Sequence, residues 1–217
     1  MSRFNVQAQF EDIPAMGYRT FFVKPVKKPR AQKPLSMLTG PQSMENEFIS
    51  VTINSNGTLT VTDKATGKVY DKLGYFHDCS EIGNPWEHHT VAHESVYTTL
   101  NEKARIALIN DGELETAFRI TIDWAIPEGR TKDDKARSEH LKPYTIVNTV
   151  TLRRGQQWVE IVTSLDNNVE DHYLQVAFPS NINSDKVSAQ GQFDVIERSV
   201  FLPDPSLYDE KIQTEQP

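Results

Sequence analysis

Apolar and polar residues alternate with a period of two along almost the whole chain, and no long segment carries an apolar stripe at helical spacing. Strand side chains point alternately to opposite faces, whereas a helical face recurs every three to four residues, so this pattern restricts the chain to β structure. The clearest instance is Phe48-Ile49-Ser50-Val51-Thr52-Ile53 followed by Leu59-Thr60-Val61-Thr62, with Asn54-Ser55-Asn56-Gly57 between them. Asn56-Gly57 predicts a two-residue hairpin turn, because both residue types accept positive φ. Asn56-Gly57-Thr58 also matches a glycosylation acceptor, but the flanking alternations favour the turn. A second turn, Asp63-Lys64-Ala65-Thr66-Gly67, leads into Lys68-Val69-Tyr70. Further strands are expected at Ser95 to Leu100, Ala104 to Asn110, Leu114 to Trp124, Tyr144 to Arg153, Trp158 to Asp166, Tyr173 to Phe178 and Gly191 to Glu197. Glu128 to His140 is polar and admits either a loop or one short surface helix.

Ahead of this region, Phe4 to Phe10 and Tyr18 to Val23 flank the turn signal Ile13-Pro14-Ala15-Met16-Gly17, which predicts a short N-terminal β-hairpin over residues 1–23. Residues 24–44 are rich in proline and read as an extended connector, and residues 45–217 as one β-sandwich domain. The expected architecture is therefore all-β, a large antiparallel sandwich of two packed sheets. A chain of 217 residues can bury one such core.

A net charge of -7 argues against nucleic acid as a partner, since phosphate neutralisation needs a clustered basic surface. The one basic run, Lys24 to Lys33, is broken by Pro25 and Pro29 and reads as a solvated linker. No apolar run approaches a membrane span, and Met1 to Phe10 has no apolar core of a secretory signal. Cys79 is the only cysteine, so no internal disulfide or thiolate cluster can form, and a cytoplasmic location is expected.

The residues with chemical potential concentrate between Gly74 and His93, a segment that Gly83 and Pro85 mark as a loop. Sugars bind by stacking apolar C–H faces on an aromatic ring while polar side chains hold hydroxyls, and Trp86 with Asn84, Glu87 and His88 has that chemistry. A zinc site from His77, Cys79, His88, His89 and His93 is disfavoured: His89 and His93 converge only on a helix, and His88 and His89 point apart on a strand. Glu81, Glu87, Asp123, Glu160, Asp166 and Asp171 are the conceivable glycosidase carboxylates, yet nothing in the sequence pairs two of them, so no catalytic residue is assigned. Asp171-His172 reads as a structural hydrogen-bonding pair, and Trp124 and Trp158 as core residues.

Glu45 to Gly67, with its strand, Asn-Ser-Asn-Gly-Thr-Leu turn and Asp-Lys-Ala-Thr-Gly turn, resembles the start of the C-terminal β-region of glycoside hydrolase family 38 α-mannosidases. Ile13-Pro14-Ala15-Met16-Gly17-Tyr18-Arg19-Thr20, Asp171-His172-Tyr173-Leu174 and Gly191-Gln192-Phe193-Asp194-Val195-Ile196-Glu197-Arg198 resemble further elements of that family in the same order. Tyr173 departs from an arginine common there, and the region around Trp86 departs from a Gly-Asp-x-Tyr element.

The resemblance implies a galactose-mutarotase-like supersandwich that is non-catalytic itself. It would complete the mannose pocket of a retaining enzyme whose chemistry, zinc included, resides in a separate barrel followed by a helical bundle. It places Trp86 at the pocket edge. The implied partners are that barrel and bundle and a mannose-containing glycan, with self-association left open; no cofactor is expected in this segment. Two alternatives stand beside it: an independent carbohydrate-binding module built on Trp86, and an aldose-epimerase-like enzyme using His88 or His172 with Glu160.

Overall fold

The computed structural model describes residues 8–10, 12–25, 35–84 and 88–201. Among the described residues fourteen strands follow in chain order: β1 (Leu38–Gly40), β2 (Ser43–Glu45), β3 (Ile49–Ile53), β4 (Leu59–Asp63), β5 (Val69–Leu73), β6 (Tyr75–Ser80), β7 (Tyr97–Thr98), β8 (Ala104–Asn110), β9 (Glu115–Pro127), β10 (Leu141–Arg153), β11 (Glu160–Leu165), β12 (His172–Ala177), β13 (Lys186–Gln190) and β14 (Val195–Ser199). A single 3-10 turn, Thr99–Asn101, interrupts them, and the described residues contain no α-helix. The strands form sheets ordered β1-β2-β3-β4-β5, β11-β10-β9-β8, β12-β6-β7 and β13-β14. Every ladder is antiparallel.

The core lies where the five-stranded and four-stranded sheets meet. Met44, Val51, Ile53 and Leu59 from the first pack with Phe118, Ile120, Ile122, Ile126, Tyr144, Ile146, Val150 and Leu152 from β9 and β10. Each large aliphatic so buried contributes about 1.5–3 kcal/mol relative to exposure. Asn46, itself buried, crosses between the layers: its amide donates to the carbonyls of Arg153 (2.8 Å) and Gln156 (2.7 Å) and accepts from the N–H groups of Phe48 and Ile49. All its polar valences are thereby used, which removes the cost of burying an amide.

Several expectations need correction. The Asn56-Gly57 hairpin is not a two-residue turn: Ile53 pairs with Leu59, Asn54 N–H donates to Thr58 O, Gly57 N–H donates to Asn54 O, and only Gly57 has positive φ (86°). The extra residues let the loop reach β8 and the 3-10 turn, where Asn56 Nδ2 donates to Leu100 O and Ala104 N–H to Ser55 O. The N-terminal hairpin shows its turn, with Gly17 N–H on Pro14 O, but no strand ladder among residues 8–10 and 12–25; Phe4 to Gln7 lie outside the described residues. Tyr18, Phe22 and Val23 are exposed, and two strands without an apolar layer beneath them are marginal.

The first sheet begins at Leu38, ahead of the expected Glu45, and Met44 is fully buried in it. Trp124 is core, as expected, but Trp158 is 59% exposed, because it precedes edge strand β11 and no second layer covers it among the described residues. Ser95 to Leu100 supplies only Tyr97–Thr98 before the 3-10 turn. Glu128 to His140 is a turn region joining β9 to β10, closed by an Arg130–Arg137 bridge.

Candidate functional site: a loop face pinned to one buried carboxylate

Gly74 to His93 is not a loop throughout; its first part is β6, the central strand of the β12-β6-β7 sheet. Alternation turns Phe76, Asp78 and Ser80 to the buried side. An acid at such a position must find cationic or hydrogen-bonding partners or fold at heavy cost. Asp78, with no exposed surface, finds several. Arg137 Nη2 binds its Oδ1, and His172 Nδ1 lies 2.6 Å from its Oδ2. Arg137 Nη1 donates to the carbonyls of Asp78 and Ser95, both at 3.2 Å, and its guanidinium lies over the Tyr97 ring. His172 Nε2 lies 2.9 Å from Asn167 Oδ1, and Tyr144 meets the imidazole edge-on. One carboxylate thus ties together β6, the 128–140 loop, the segment before β7 and the start of β12.

The loop leaving β6 is held at two further points. Ser80 N–H donates to Glu94 Oε1 (3.1 Å), its hydroxyl binds Glu94 Oε2, and Val91 N–H donates to that hydroxyl. Beyond it, Glu81 Oε1 accepts the N–H groups of Gly83 (2.6 Å) and His89 (3.3 Å) while Oε2 binds His88 Nδ1. Ile82 N–H on His89 O closes the neck of the loop, and His93 N–H on Lys135 O joins it to the 128–140 loop. The His88 ring lies 4.9 Å from the Tyr173 ring.

Burial pushes the Glu81 carboxyl upward, but the His88 and backbone hydrogen bonds outweigh it and hold the group below the ordinary glutamate range. A depressed folded pKa stabilises the fold above the unfolded value, about 4.3, and that stabilisation is lost as pH falls through the folded value. The melting-temperature gap between wild type and Glu81→Gln is therefore expected to be widest at neutral pH and to shrink below about pH 4. A gap that is constant across this range would show that the Glu81 charge is irrelevant.

Of the residues expected to bind sugar, Asn84 is exposed on this loop and His88 is anchored beside it, while Trp86 and Glu87 lie outside the described residues. The Asp171-His172 pair is not formed. Asp171, at φ 50°, turns its carboxylate to Arg130 (3.2 Å), and His172 turns inward to Asp78 instead. Other candidate acids are also engaged: Asp123 with Arg105, and Glu160 with Arg153 at 2.7 Å. Both nitrogens of His172 face partners, which removes the acid–base freedom an epimerase would need from it.

His77, Cys79, His88, His89 and His93 do not gather, and the described residues contain no group of three or more histidine, cysteine or acidic side chains able to hold a metal. The donors among the described residues thus do not fit the zinc of the resembled family. Burial first, then the Glu94 and Asp78 charges, push the Cys79 thiol up and keep it unreactive. Sequence reasoning missed Asp78, Arg137 and Glu94; the available signal was an aspartate in phase with Phe76 and Ser80.

Comparison with known proteins accounts for most of the chain. The family model for the glycosyl hydrolases family 38 C-terminal domain matches residues 44–206. A relative from Halalkalibacterium halodurans, provisionally named a mannosylglycerate hydrolase, is 26% identical over 206 residues, covering 88% of this chain and 23% of its own. Two solved structures from Enterococcus faecalis superpose with a TM-score of 0.74. One is a protein in glycosyl hydrolase family 38 (26% identity, covering 78% of this chain and 22% of that one), and the other an α-mannosidase (27% identity, 80% and 21%). The chain spans under a quarter of the length of each of these relatives. With its all-antiparallel β-architecture and this match, the chain belongs to glycosyl hydrolase family 38, as its C-terminal domain.

Proposed function

We propose that this chain is the non-catalytic, pocket-completing β-region of a retaining glycosidase that removes terminal α-mannosyl groups in carbohydrate catabolism. Within it, Asn84, Trp86, Glu87 and His88 contact the sugar. The observation that carries this reading is the loop face itself: residues 81–84 and 88–93, the 128–140 loop and the start of β12 are fastened to Asp78 and Glu81, a support of the kind a binding wall needs. The family match and the names of the relatives, an α-mannosidase and a mannosylglycerate hydrolase, both point to α-mannosyl substrates. The acids of this face serve as structural anchors, so acid and nucleophile come from the barrel that the family resemblance implies, as does any zinc. Barrel, helical bundle and glycan are the partners of this region. A lone, buried cysteine fits a reducing, cytoplasmic setting. No helix among the described residues is long and apolar enough to cross a membrane.

The purified 217-residue chain is expected to show no turnover of an aryl α-mannoside or of mannosylglycerate, with or without zinc. The enzyme carrying the barrel is expected to release mannose with the α configuration first. Turnover by the chain alone, surviving repeated purification, would overturn the non-catalytic assignment; release of β-mannose would overturn retention.

A further inference from the structure

The end of the sandwich opposite the loop face around Asp78 holds a cleft of its own. β9 and β10 pair as one long hairpin ladder, from Pro127 and Leu141 at one end to Glu115 and Arg153 at the other. The 13 residues of β10, roughly 40 Å at about 3.3 Å per residue, separate the 128–140 loop from the turn after Arg153. At that far end three turns are fastened together. The Asn46 amide donates to the carbonyls of Arg153 and Gln156, Lys64 Nζ donates to Asn46 O (2.6 Å) and pairs with Glu45 (3.1 Å), and Lys64 N–H donates to Phe48 O (2.9 Å). A cleft of about 500 Å³ opens among them, walled by Phe48, Val61 and Tyr70 and rimmed by Glu47, Asp63 and Gln157. That volume is within the range of small-molecule sites. Val61 and Tyr70 are cross-strand partners on β4 and β5, and both are half-buried, as is Phe48. With its surrounding turns pinned through buried Asn46, the cleft is formed before any ligand arrives.

We propose that this cleft binds the ring of an uncharged pyranose, as a carbohydrate site separate from the loop face around Asp78. The ligand class follows from the lining. Phe48 and Tyr70 offer aromatic surface to sugar C–H groups. Asp63 Oδ2 accepts the Thr66 hydroxyl (2.7 Å) and Oδ1 the Ala65 N–H (2.9 Å). These bonds hold its carboxyl below the ordinary aspartate range and leave each oxygen a further lone pair for a sugar hydroxyl. Glu47 and Gln157, both exposed, add a second carboxylate and an amide that donates as well as accepts. An anionic ligand meets two carboxylates, while the neighbouring Lys64 ammonium is committed to Glu45 and Asn46. A cationic ligand meets the Lys68 ammonium, which at 4.8 Å from the Tyr70 ring centre already holds the position where that ring attracts a cation. A purely apolar ligand would desolvate the rim without giving it hydrogen bonds. A neutral ring edged with hydroxyls satisfies walls and rim together. The proposal does not depend on the α-mannosyl reading, and from its place at the far end the cleft holds a glycosyl unit other than the one the loop face would receive.

The test is amide chemical-shift mapping of the ¹⁵N-labelled 217-residue chain, titrated separately with methyl α-mannoside, methyl β-glucoside, D-glycerate and cyclohexanol. The expected result is saturable shifts at Phe48, Ala65, Tyr70 and Gln157, half-maximal in the millimolar range, with at least one of the two pyranosides and with neither glycerate nor cyclohexanol. Tyr70→Ala should weaken that binding about tenfold or more, and Glu47→Ala and Gln157→Ala about three- to tenfold each. Asn84→Ala, on the opposite face, should leave it unchanged. No shift at these residues with either pyranoside up to its solubility, an equal response to glycerate or cyclohexanol, unchanged affinity in the cleft variants, or loss of the shifts in Asn84→Ala would each overturn the proposal. If Tyr70→Ala does not fold, Glu47→Ala and Gln157→Ala, which alter exposed side chains, still decide it. Turnover is not measured here, so failure of the α-mannosidase reading would show in the activity assay and leave the cleft result standing.

Discussion

Replacing Asp78 by alanine is expected to lower the stability of the chain by about 3–5 kcal/mol, the usual cost of removing one partner from a buried ion pair. The side chain of Arg137 is 2% exposed, and its guanidinium would be left with two carbonyls and an aromatic face but no counter-charge. His172 Nδ1 would lose its 2.6 Å contact in the same step. The damage is thus an uncompensated charge more than a cavity, and that mechanism has its own signature. Adding Arg137→Met to Asp78→Ala should recover part of the loss, because an apolar side chain of similar length removes the stranded charge. Urea denaturation followed by tryptophan fluorescence gives both values. A loss below about 1 kcal/mol for the single variant, or a double variant weaker than the single by the full cost of losing Arg137, would show that Asp78 is not the centre of the network.

The same residue marks where sequence reading succeeds and where it stops. Strands with one buried face declare themselves locally: Ile49, Val51 and Ile53 alternate with polar residues, and β8 runs from Ala104 to Asn110 as expected. β6 does not declare itself, because its inward Asp78 and Ser80 carry no apolar signal. They are satisfied instead by Arg137, 59 residues away, by His172, 94 away, and by Glu94. A polar side chain that is legal only through distant partners looks, in a linear reading, like part of a loop. β1 is hidden for another reason: Leu38-Thr39-Gly40 is short and lies between Pro34 and Pro41, and only its pairing with β2 makes it a strand. The error at Trp158 is the converse. Its local pattern is strand-like and apolar, but burial depends on what lies opposite, and alternation alone does not carry that information. For the candidate site, the Gly74 to His93 segment was legible as chemistry, and Glu81 as a loop anchor was not, because one of its oxygens takes backbone N–H groups and the other the ring of His88, contacts that only the folded loop creates.

Gly57 is where local turn chemistry and distant packing coincide, and Gly57→Val should cost about 3 kcal/mol. Two terms contribute. At φ 86° a β-branched residue is strained by about 1–3 kcal/mol. In addition, a Cβ on Gly57 would stand 2.9 Å from Ile120 Cγ2, 3.1 Å from Ala104 Cβ and 3.2 Å from Ile122 Cδ1. Ile120 and Ile122 are both in the fully buried core, so they can yield only by moving the sheet, and overpacking of this kind costs about 1–3 kcal/mol more. Gly67 separates the two terms. It too has positive φ, 70°, but nothing lies within 4 Å of the position its Cβ would take. Gly67→Val therefore reports the backbone strain alone, at about 1 kcal/mol or slightly more. For a domain of this size the two variants should differ in melting temperature by roughly 4–8 °C, with Gly57→Val the lower. Equal melting temperatures would mean that the 54–58 loop lifts off β8 and β9 at little cost, and that the close approach of this turn to Ile120 does not help hold the two sheets together.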